Sequence, residues 1–507
     1  MIKTAELSRF IPMVVKSSRK IRAKFIRKGK FYVYIVECSD GTYYTGYTND
    51  LERRINEHNN SCGRGAKYLK GKTPLKLVYV KEYNYYRNAV RVERDIKKRT
   101  RMEKEAMIKA YAQSREKLAP QICCANLSGG LTPKRLSVYI KTFGCQMNVR
   151  DSEVICGLLR TKNYALTTNP DEADVVILNT CSVRQHAENR VWNAIDKYSD
   201  QQIIGVVGCM AQNYQEQIFE KSKKVDFVVG PQDIAKIPEV IEKLIDHKIF
   251  ERKVWETDGE VRPEKIYHHG FYQDQEHAFV VISEGCSNFC SYCVVPYVRG
   301  PLRNRNYKDI LKEIEEAIVK GITRITLLGQ NVNAYKSTVH GPQSTVNFVA
   351  LLKMVNEIEG LEEFSFMTSH PKDTTVELFK TMEDLDKLKK HLHLPIQSGS
   401  DKILKLMNRG YDKKLYLDLV KNYRKIIKDG SLTTDIIVGF PNETEKDFQD
   451  TYDLIKKIQF NAAYIFKYSP RPHTKAQEFI DTVEKKEKER RHRLILDLQR
   501  EISKKKK

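Results

Sequence analysis

The apolar positions of the chain fall into three successive regions, each with its own order of strands and helices. In the first region, aromatic and β-branched residues alternate over Phe31–Val36 and again over Thr42–Tyr47, which predicts a β-hairpin. Helical spacing follows over Leu51–His58, and a further helix is predicted from about Asn88. We therefore expect a small α+β domain over residues 30–112.

The second region, residues 136–250, alternates strand-like apolar runs with helical stretches. Its clearest runs are Val138–Gly144, Val175–Thr180 and Ile203–Gly208. This β-α-β-α-β order predicts a buried parallel sheet, as in Rossmann-like α/β domains. A cysteine follows each run directly, so the pattern also predicts that these cysteines lie at the carboxyl ends of strands.

The third region, residues 272–480, repeats a strand and then an amphipathic helix such as Ile310–Val319. Its predicted strands are Ala278–Ile282, Ile322–Leu328, Glu363–Met367, His391–Leu394, Thr433–Val438 and Ala462–Phe466. Repeated βα units of this length predict a partial (β/α) barrel of the TIM type. The chain as a whole is therefore expected to be a multidomain α/β protein.

Three segments lie outside these regions. Residues 1–29 are rich in Lys and Arg and are expected to form a basic extension. Residues 113–135 contain the Gly, Pro and Ser residues of a linker, in which Cys123 and Cys124 receive no function. Residues 481–507 predict a charged helix that ends in a lysine tail.

Charge and cysteine content narrow the class of protein. The chain of 507 residues is too long for one core, and its 88 Lys and Arg against 65 Asp and Glu give a net charge of +23, which predicts an RNA or DNA partner. A mean hydropathy of −0.54 argues against a membrane partner. The 11 cysteines are not packed into one short segment, so we expect a reducing, cytoplasmic location.

A loop after the first strand of the third region carries Cys286, Cys290 and Cys293 in the spacing C-x3-C-x2-C. Three thiolates from one short loop suit a [4Fe–4S] cluster with one iron left open. A structural zinc site would require a fourth ligand, and no further Cys or His lies close by in the sequence. Incidental core cysteines are the remaining alternative.

This spacing and its surroundings resemble the radical S-adenosylmethionine (SAM) enzymes. The resemblance implies that SAM chelates the open iron and yields a 5′-deoxyadenosyl radical, which abstracts hydrogen from unactivated C–H bonds. Loops after the strands build the site in barrels of this type. The resemblance assigns these loops to SAM, and we expect contacts from Gln330, Ser369, Gln397 and Ser398.

Arg299, Arg303 and Arg305 closely follow the cysteine loop. They could pair with the carboxylate of SAM or with RNA phosphate, and a solvated basic loop is a third interpretation. The sequence leaves these three interpretations open.

The strand-end cysteines of the second region predict a second cluster. Ligands bind outside the carboxyl ends of parallel strands, so Cys145, Cys181 and Cys209 are expected to converge there on another [4Fe–4S] cluster with an open iron. Three buried structural cysteines are the alternative. Cys156 lies on the helix after Cys145 and is expected to belong to the core.

The residues around these cysteines carry a second resemblance. Phe143–Asn148, Asn179–Arg184 and Gly208–Gln212 resemble the tRNA-2-methylthio-N6-dimethylallyladenosine synthases of the MiaB type, over about residues 136–500. The resemblance implies that N6-isopentenyladenosine at position 37 of tRNA, beside the anticodon, is methylthiolated at C2. One SAM supplies the radical and a second SAM the methyl group, while the strand-end cluster presents the sulfur.

The first region resembles the GIY-YIG nuclease fold through Val33–Ile35, Tyr44–Gly46 and Gly65–Tyr68. Tyr34 and Tyr44 would position or activate water, Arg54 would neutralise phosphate, and Glu93 would hold a divalent metal such as Mg²⁺, with help from His58. These roles suit phosphodiester cleavage. The alternative is that the tyrosines only pack the sheet and the basic helix only contacts phosphate.

The resemblance also implies the partners: tRNA, an external electron donor of the flavodoxin or ferredoxin type, no membrane, and a monomeric enzyme. A TRAM-type RNA-binding module usually follows in this family, and none is expected within this sequence, so it is absent or truncated. Three other functions are weighed: a GIY-YIG nuclease directed to RNA by the other domains, methylthiolation of threonylcarbamoyl-adenosine, and a tRNA-binding protein without chemistry.

Overall fold

The computed structural model describes residues 28–59, 67–69, 71–116, 135–182, 185–245, 254–259, 261–338 and 345–506. Residues 1–27 of the predicted extension, residues 117–134 of the predicted linker with Cys123 and Cys124, and the motif residues Gly65 and Ala66 lie outside this description. The chain divides into two compact units, Met1–Gly130 and Leu131–Lys507.

The first unit contains an antiparallel sheet in the order β2-β1-β3. Its elements are β1 (Lys28–Glu37), β2 (Tyr43–Thr48), α1 (Leu51–Asn59), β3 (Lys76–Tyr85), α2 (Tyr86–Lys98) and α3 (Arg101–Glu116). The predicted hairpin is confirmed, with Tyr34 opposite Gly46. Asp50 accepts a hydrogen bond from the backbone N–H of Arg53 at 3.1 Å and so caps α1.

The second unit begins with a lobe built on a six-stranded parallel sheet, in the order β5-β4-β6-β7-β8-β9. The elements of this lobe are β4 (Ser137–Phe143), α4 (Gln146–Thr161), β5 (Ala165–Leu166), β6 (Val175–Thr180), α5 (Gln185–Ile195), β7 (Ile203–Gly208), α6 (Cys209–Tyr214), α7 (Gln217–Lys221), β8 (Phe227–Val229), α8 (Ile237–Ile245) and β9 (Val254–Glu256). The parallel sheet is confirmed, and every residue of the central strand β6 is buried because helices cover both faces.

The second lobe holds two three-stranded parallel sheets, β10-β13-β16 and β17-β18-β19. Its elements are β10 (His277–Val281), β11 (Ser283–Glu284), α9 (Val295–Arg299), β12 (Arg303–Asn304), α10 (Tyr307–Val319), β13 (Arg324–Leu328), β14 (Lys336–Thr338), β15 (Thr345–Asn347), α11 (Phe348–Asn356), β16 (Glu363–Phe366), α12 (Val376–Asp384), β17 (His391–His393), α13 (Asp401–Leu406), α14 (Lys413–Ile426), β18 (Ser431–Val438), α15 (Glu445–Ile458), β19 (Ala462–Lys467) and α16 (Lys485–Lys505). A parallel bridge between Phe364 and Leu388 links the sheets. The six predicted strands form an open, partial barrel.

A shared core joins the two lobes. Val281 of β10 and Leu328 of β13 belong to the same apolar cluster as Met147 and Val154 of α4. Arg150, also on α4, is fully buried and donates a hydrogen bond to Glu313 of α10 at 2.9 Å. Removing one partner of such a pair would leave an uncompensated charge, so this contact fixes α4 against the barrel.

The predicted charged helix is observed as α16, and one face of it is apolar. Ile495, Leu498 and Ile502 are buried in the core of the barrel lobe. Nε2 of His492 lies 3.1 Å from the carbonyl oxygen of Ile465 in β19. In the part of the chain that the structure describes, no helix combines the length and apolarity needed to cross a membrane.

Candidate active site

The loop with Cys286, Cys290 and Cys293 is held at its start by Gly285. This glycine has φ +74°, and a Cβ atom there would come within 2.1 Å of the carbonyl oxygen of Pro301. Its N–H donates a hydrogen bond of 2.5 Å to Oε1 of Gln330. Glycine adopts this conformation without strain, and only glycine tolerates the close approach to Pro301, so Gly285 determines how the cysteine loop leaves the sheet.

The thiols of the loop act on one another electrostatically, and Cys290 is buried whereas Cys286 and Cys293 are partly buried. Burial, and then the neighbouring Cys290, raises the pKa of Cys293 to about 12. Burial also raises the pKa of Cys286. A guanidinium nitrogen of Arg409 donates to Sγ of Cys290 at 3.3 Å. Because thiolates are unfavourable here without a cation, the loop suits the binding of a positively charged metal centre, with Arg409 as an additional stabilising charge.

Cys145, Cys181 and Cys209 lie where the sequence predicts, at the carboxyl ends of the adjacent strands β4, β6 and β7. Cys145 is exposed, whereas the other two are buried. Burial raises the pKa of Cys209, Arg299 opposes this effect, and the nearby Cys145 adds to it. Parallel strand order thus brings distant cysteines to one edge of the sheet.

Asn148 connects two of these strand ends. Its Oδ1 accepts a hydrogen bond from Sγ of Cys145 at 3.4 Å, and its Nδ2 donates to Oδ1 of Asn179 at 3.0 Å. Asn148 is completely buried, as is Asn179. The amide pair therefore holds the start of α4 against the end of β6.

Cys209 of the strand-end set lies against α9, the helix that begins two residues after Cys293. Cys209 packs directly against Val294 and Val298. Arg299 donates through Nε to Sγ of Cys209 at 3.3 Å and through a terminal nitrogen to Asp151 at 2.6 Å. The strand-end set and the loop set are therefore neighbours within one unit.

The donor chemistry of each cysteine set fits an iron–sulfur cluster. Within the described ranges, no three Cys, His, Asp or Glu side chains converge to hold one ion. A cube spreads its thiolates over separate corners, so such convergence is not needed. Each set offers three sulfur ligands, which suits a [4Fe–4S] cluster with one iron available to another ligand.

The predicted SAM contacts lie in loops at the carboxyl ends of the barrel strands, in four different environments. Oγ of Ser369 and Oε1 of Gln397 are buried acceptors without a hydrogen-bond partner among the described residues, so both can receive a ligand. The side-chain Oε1 of Gln330 already accepts the hydrogen bond from the N–H of Gly285. Ser398 is fully buried, and its hydroxyl lies 3.3 Å from that of Thr451.

The arginines after the cysteine loop were expected to pair with SAM, to pair with RNA phosphate or to form a solvated loop. The structure instead gives them partners within the protein. Arg299 and Arg305 are only 3% and 5% exposed, and they pair with Asp151 and Glu313 respectively. Arg303 is partly exposed, and it donates to the carbonyl oxygen of Arg299 at 2.9 Å. Two of the three are therefore internal ion-pair residues rather than a solvated basic loop.

Arg409 is the functional residue that sequence reasoning missed. Besides Cys290, it contacts the carbonyl oxygen of Pro395 at 2.9 Å and the hydroxyl of Tyr292 at 3.2 Å. It lies 119 positions from Cys290 in the sequence. In the sequence, Arg409 lies between the barrel loop that holds Gln397 and the start of α14. This position gives no indication that its partner is Cys290.

The first unit brings its predicted residues together around Tyr34. This tyrosine is completely buried, and its hydroxyl lies 2.7 Å from Nε2 of His58. Burial, and then the neighbouring Tyr44, raises the pKa of Tyr34, whereas Arg54 lowers it. The pKa of His58 is lowered by burial and by Arg54. A neutral imidazole beside a phenol can accept its proton.

Glu93 also belongs to this cluster. Its charge acts on Tyr34, it is 7% exposed, and one of its oxygens lies 2.5 Å from Nζ of Lys97. Tyr44 is half-buried, and its ring lies 5.5 Å from that of His58. The group thus combines a carboxylate, a guanidinium and two phenols, as metal-dependent cleavage of a phosphodiester requires.

Three protein-family models match the chain. The model of the GIY-YIG catalytic domain matches residues 30–106, that of uncharacterized protein family UPF0004 matches residues 137–230, and that of the radical SAM superfamily matches residues 280–455. A solved radical SAM methyltransferase, TsrM from Kitasatospora setae, is 12% identical with a TM-score of 0.50 and covers 68% of this chain and 75% of its own. This likeness concerns the fold alone.

The match over residues 280–455 assigns this part of the chain to the radical SAM superfamily. The tRNA-2-methylthio-N(6)-dimethylallyladenosine synthase of Thermoanaerobacter sp. (strain X514) is 44% identical over 379 residues, which are 73% of this chain and 79% of the relative. The synthase of Clostridium botulinum (strain Alaska E43 / Type E3) is 43% identical over 356 residues, 68% of this chain and 76% of that one. The chain belongs to the tRNA-2-methylthio-N(6)-dimethylallyladenosine synthase family and carries a GIY-YIG domain before it.

Proposed function

We propose that this chain methylthiolates tRNA, converting N6-isopentenyladenosine at position 37 to its 2-methylthio derivative. The observation that supports this most is the contact of Cys209 with Val294 and Val298, because Val294 directly follows Cys293 of the cysteine loop. When bound, the clusters and two SAM molecules supply the radical that removes the C2 hydrogen, the sulfur and the methyl group. Membership of the family supports the same reaction.

The protein's own residues bind, orient and shield these groups. Cys145, Cys181 and Cys209 would hold one cluster, and the loop cysteines Cys286, Cys290 and Cys293 the other. Each set has a buried arginine that donates to one of its sulfurs: Arg299 to Cys209 and Arg409 to Cys290. These cations stabilise thiolate charge that burial would otherwise disfavour.

SAM would lie on the barrel side of the cysteine loop. Ser369 and Gln397 offer buried acceptors that no other described residue uses, which makes them the best supported contacts. Gln330 would act through the loop, because its side-chain Oε1 accepts a hydrogen bond from the N–H of Gly285. Ser398, which is bonded within the protein, would position the same segment rather than contact SAM.

The proposal also includes partners and a location. The net charge of +23 favours tRNA as the macromolecular substrate. A flavodoxin or ferredoxin type protein would supply electrons, and the reaction would take place in the cytoplasm. Since one chain provides both cysteine sets, a monomer would suffice.

Nucleoside analysis of tRNA from cells with and without this gene tests the reaction. The methylthio derivative should disappear without the gene and return with the parent chain, but not with Cys209→Ala. Cys156→Ala is the matched control, because this α4 cysteine, whose pKa burial raises to about 12, belongs to neither set. Restoration by Cys209→Ala, or a change in threonylcarbamoyl-adenosine instead, would contradict the proposal.

A nuclease activity of the first unit is a second candidate function. It is favoured by the hydrogen bond of 2.7 Å between Tyr34 and His58, with Arg54 and Glu93 close by. Tyr34 and Tyr44 would position water, His58 would accept a proton, Arg54 would neutralise phosphate, and Glu93 would hold Mg²⁺. Anaerobic protein without SAM should then still cleave RNA or DNA when Mg²⁺ is added.

A further inference from the structure

Three aromatic side chains form an exposed strip beside the cysteine loop. Phe289 is 52% exposed and Tyr297 is 44% exposed, and their ring centroids are 6.3 Å apart in an edge-to-face arrangement. The ring of His473, also exposed, lies 6.3 Å from that of Tyr297 at an angle of 34°. We call Phe289, Tyr297 and His473 the aromatic triad.

Two members of the triad are held on an unfavourable backbone. Phe289 has φ +45° and His473 has φ +67°, in the left-handed region that side chains other than glycine rarely adopt. Nδ2 of Asn408 donates to the carbonyl oxygen of Phe289 at 3.0 Å and supports this conformation. A strained backbone is not needed to bury a side chain here, because both rings remain exposed to water. The strain therefore indicates that these rings bind a ligand rather than pack the core.

The position of the triad identifies what it would contact. Phe289 directly precedes Cys290, and Tyr297 lies on α9, whose neighbours Val294 and Val298 pack against Cys209. A molecule on the triad therefore lies next to the cysteine loop and to the exposed side of α9, the helix whose buried residues contact Cys209. Lys475, two residues after His473 in the sequence, is exposed and carries a positive charge.

We propose that the aromatic triad stacks unpaired bases of the RNA loop that carries the reacting adenosine. This inference rests on the proposed function and specifies how its substrate is held. Single-stranded loops are recognised through bases stacked on aromatic side chains, with cations beside the phosphates, which is the combination that this surface offers. A duplex has no free base faces and would not use the triad.

Binding of an anticodon stem–loop RNA to the iron-reconstituted chain tests the inference. The RNA carries 2-aminopurine next to position 37, so stacking quenches its fluorescence. Tyr297→Leu and His473→Ala should each weaken binding about tenfold and reduce the quenching, as expected for one lost stacking contact. Tyr297→Phe should bind like the parent, and so should Val319→Ala, which changes an exposed apolar residue on α10.

The outcomes separate this inference from the proposed function. Iron content reports whether each variant keeps its clusters. His473 lies outside the cysteine loop, so His473→Ala tests stacking without a change in that loop. If Tyr297→Leu and His473→Ala both bind the RNA with the affinity and quenching of the parent, the triad does not stack its bases. This holds even if tRNA is methylthiolated. Selective loss of loop binding over duplex binding would support the triad, even if nucleoside analysis refuted methylthiolation.

Discussion

Arg299 and Cys209, which lie 90 positions apart in the sequence, are joined by a hydrogen bond of 3.3 Å from Nε to Sγ. The same guanidinium pairs with Asp151 at 2.6 Å, six residues after Cys145. Arg299 also ends the helix that follows the cysteine loop. One side chain therefore contacts Cys209 of the strand-end set while its backbone lies six residues after Cys293 of the cysteine loop.

Replacing Arg299 should affect both stability and the strand-end set. Arg299→Met leaves Asp151 with Arg262 as its one remaining arginine partner and should lower the free energy of unfolding by about 3 kcal/mol. It should also change the electron paramagnetic resonance spectrum of the strand-end cluster, because a positive charge next to one sulfur is lost. Arg299→Lys should be intermediate, since lysine keeps the charge without the forked geometry. An unchanged spectrum in Arg299→Met would show that this contact does not act on the cluster.

Gly285→Ala should remove one cluster and leave the other. The added Cβ would come within 2.1 Å of the carbonyl oxygen of Pro301. This is a backbone atom, so no side-chain rotation can relieve the clash. Iron should fall from about eight to about four atoms per chain, because the strand-end set is unaffected. Gly321→Ala is the control: Gly321 has φ +94°, but no atom lies within 4 Å of its added Cβ. Full iron content in both variants would show that the cysteine loop does not require glycine at position 285.

Cleavage by the first unit should depend on Glu93. Glu93→Gln keeps the shape but removes the metal-binding charge, so the rate of Mg²⁺-dependent cleavage of RNA or DNA should fall at least about 100-fold. Glu103→Gln changes an exposed carboxylate of α3 and should retain the rate. Gel electrophoresis of labelled substrate measures both variants. Equal cleavage by parent and Glu93→Gln, or cleavage in excess chelator, would assign the activity elsewhere.

The barrel lobe should lose stability in acid through His391. Burial, and then His393 and Lys389, lowers the pKa of His391 from 6.5 to about 4. The unfolded chain therefore takes up a proton at higher pH than the folded protein does. The stabilisation is complete above about pH 6.5 and is lost as the pH falls towards 4, by about 3 kcal/mol in total.

Urea denaturation of the parent and of His391→Asn over this pH range measures that contribution. The difference in the free energy of unfolding between the two proteins should be largest above pH 6.5 and should shrink towards pH 4. A difference that is constant over the range would mean that His391 does not titrate in this way.

Local pattern predicts the elements that place the cysteines. Val175–Thr180 and Ile203–Gly208 are observed with the predicted bounds, because buried parallel strands have continuous apolar runs that end abruptly. The strands β5, β8 and β9 have only two or three residues and are too short to show a period. They were missed for that reason.

Long-range partners are the part that the sequence does not indicate. Arg299 follows the cysteine loop, which suggested a ligand or RNA contact, yet its carboxylate partner Asp151 lies 148 positions earlier. Arg409 similarly reaches Cys290 across 119 positions. Such pairings depend on how distant segments pack against each other. Neither the periodicity of apolar residues nor the spacing of motifs predicts these contacts.

Helix α16 has a consequence for how the barrel exists in solution. The barrel is open, and β19 is bonded to β18 on one side only among the described strands. An uncovered edge of this kind is a template on which another chain can add a strand. The buried face of α16 packs on β19, and His492 approaches the carbonyl oxygen of Ile465. The charged helix α16 therefore lies against the last strand of the open barrel, where an added strand from another chain would otherwise pair.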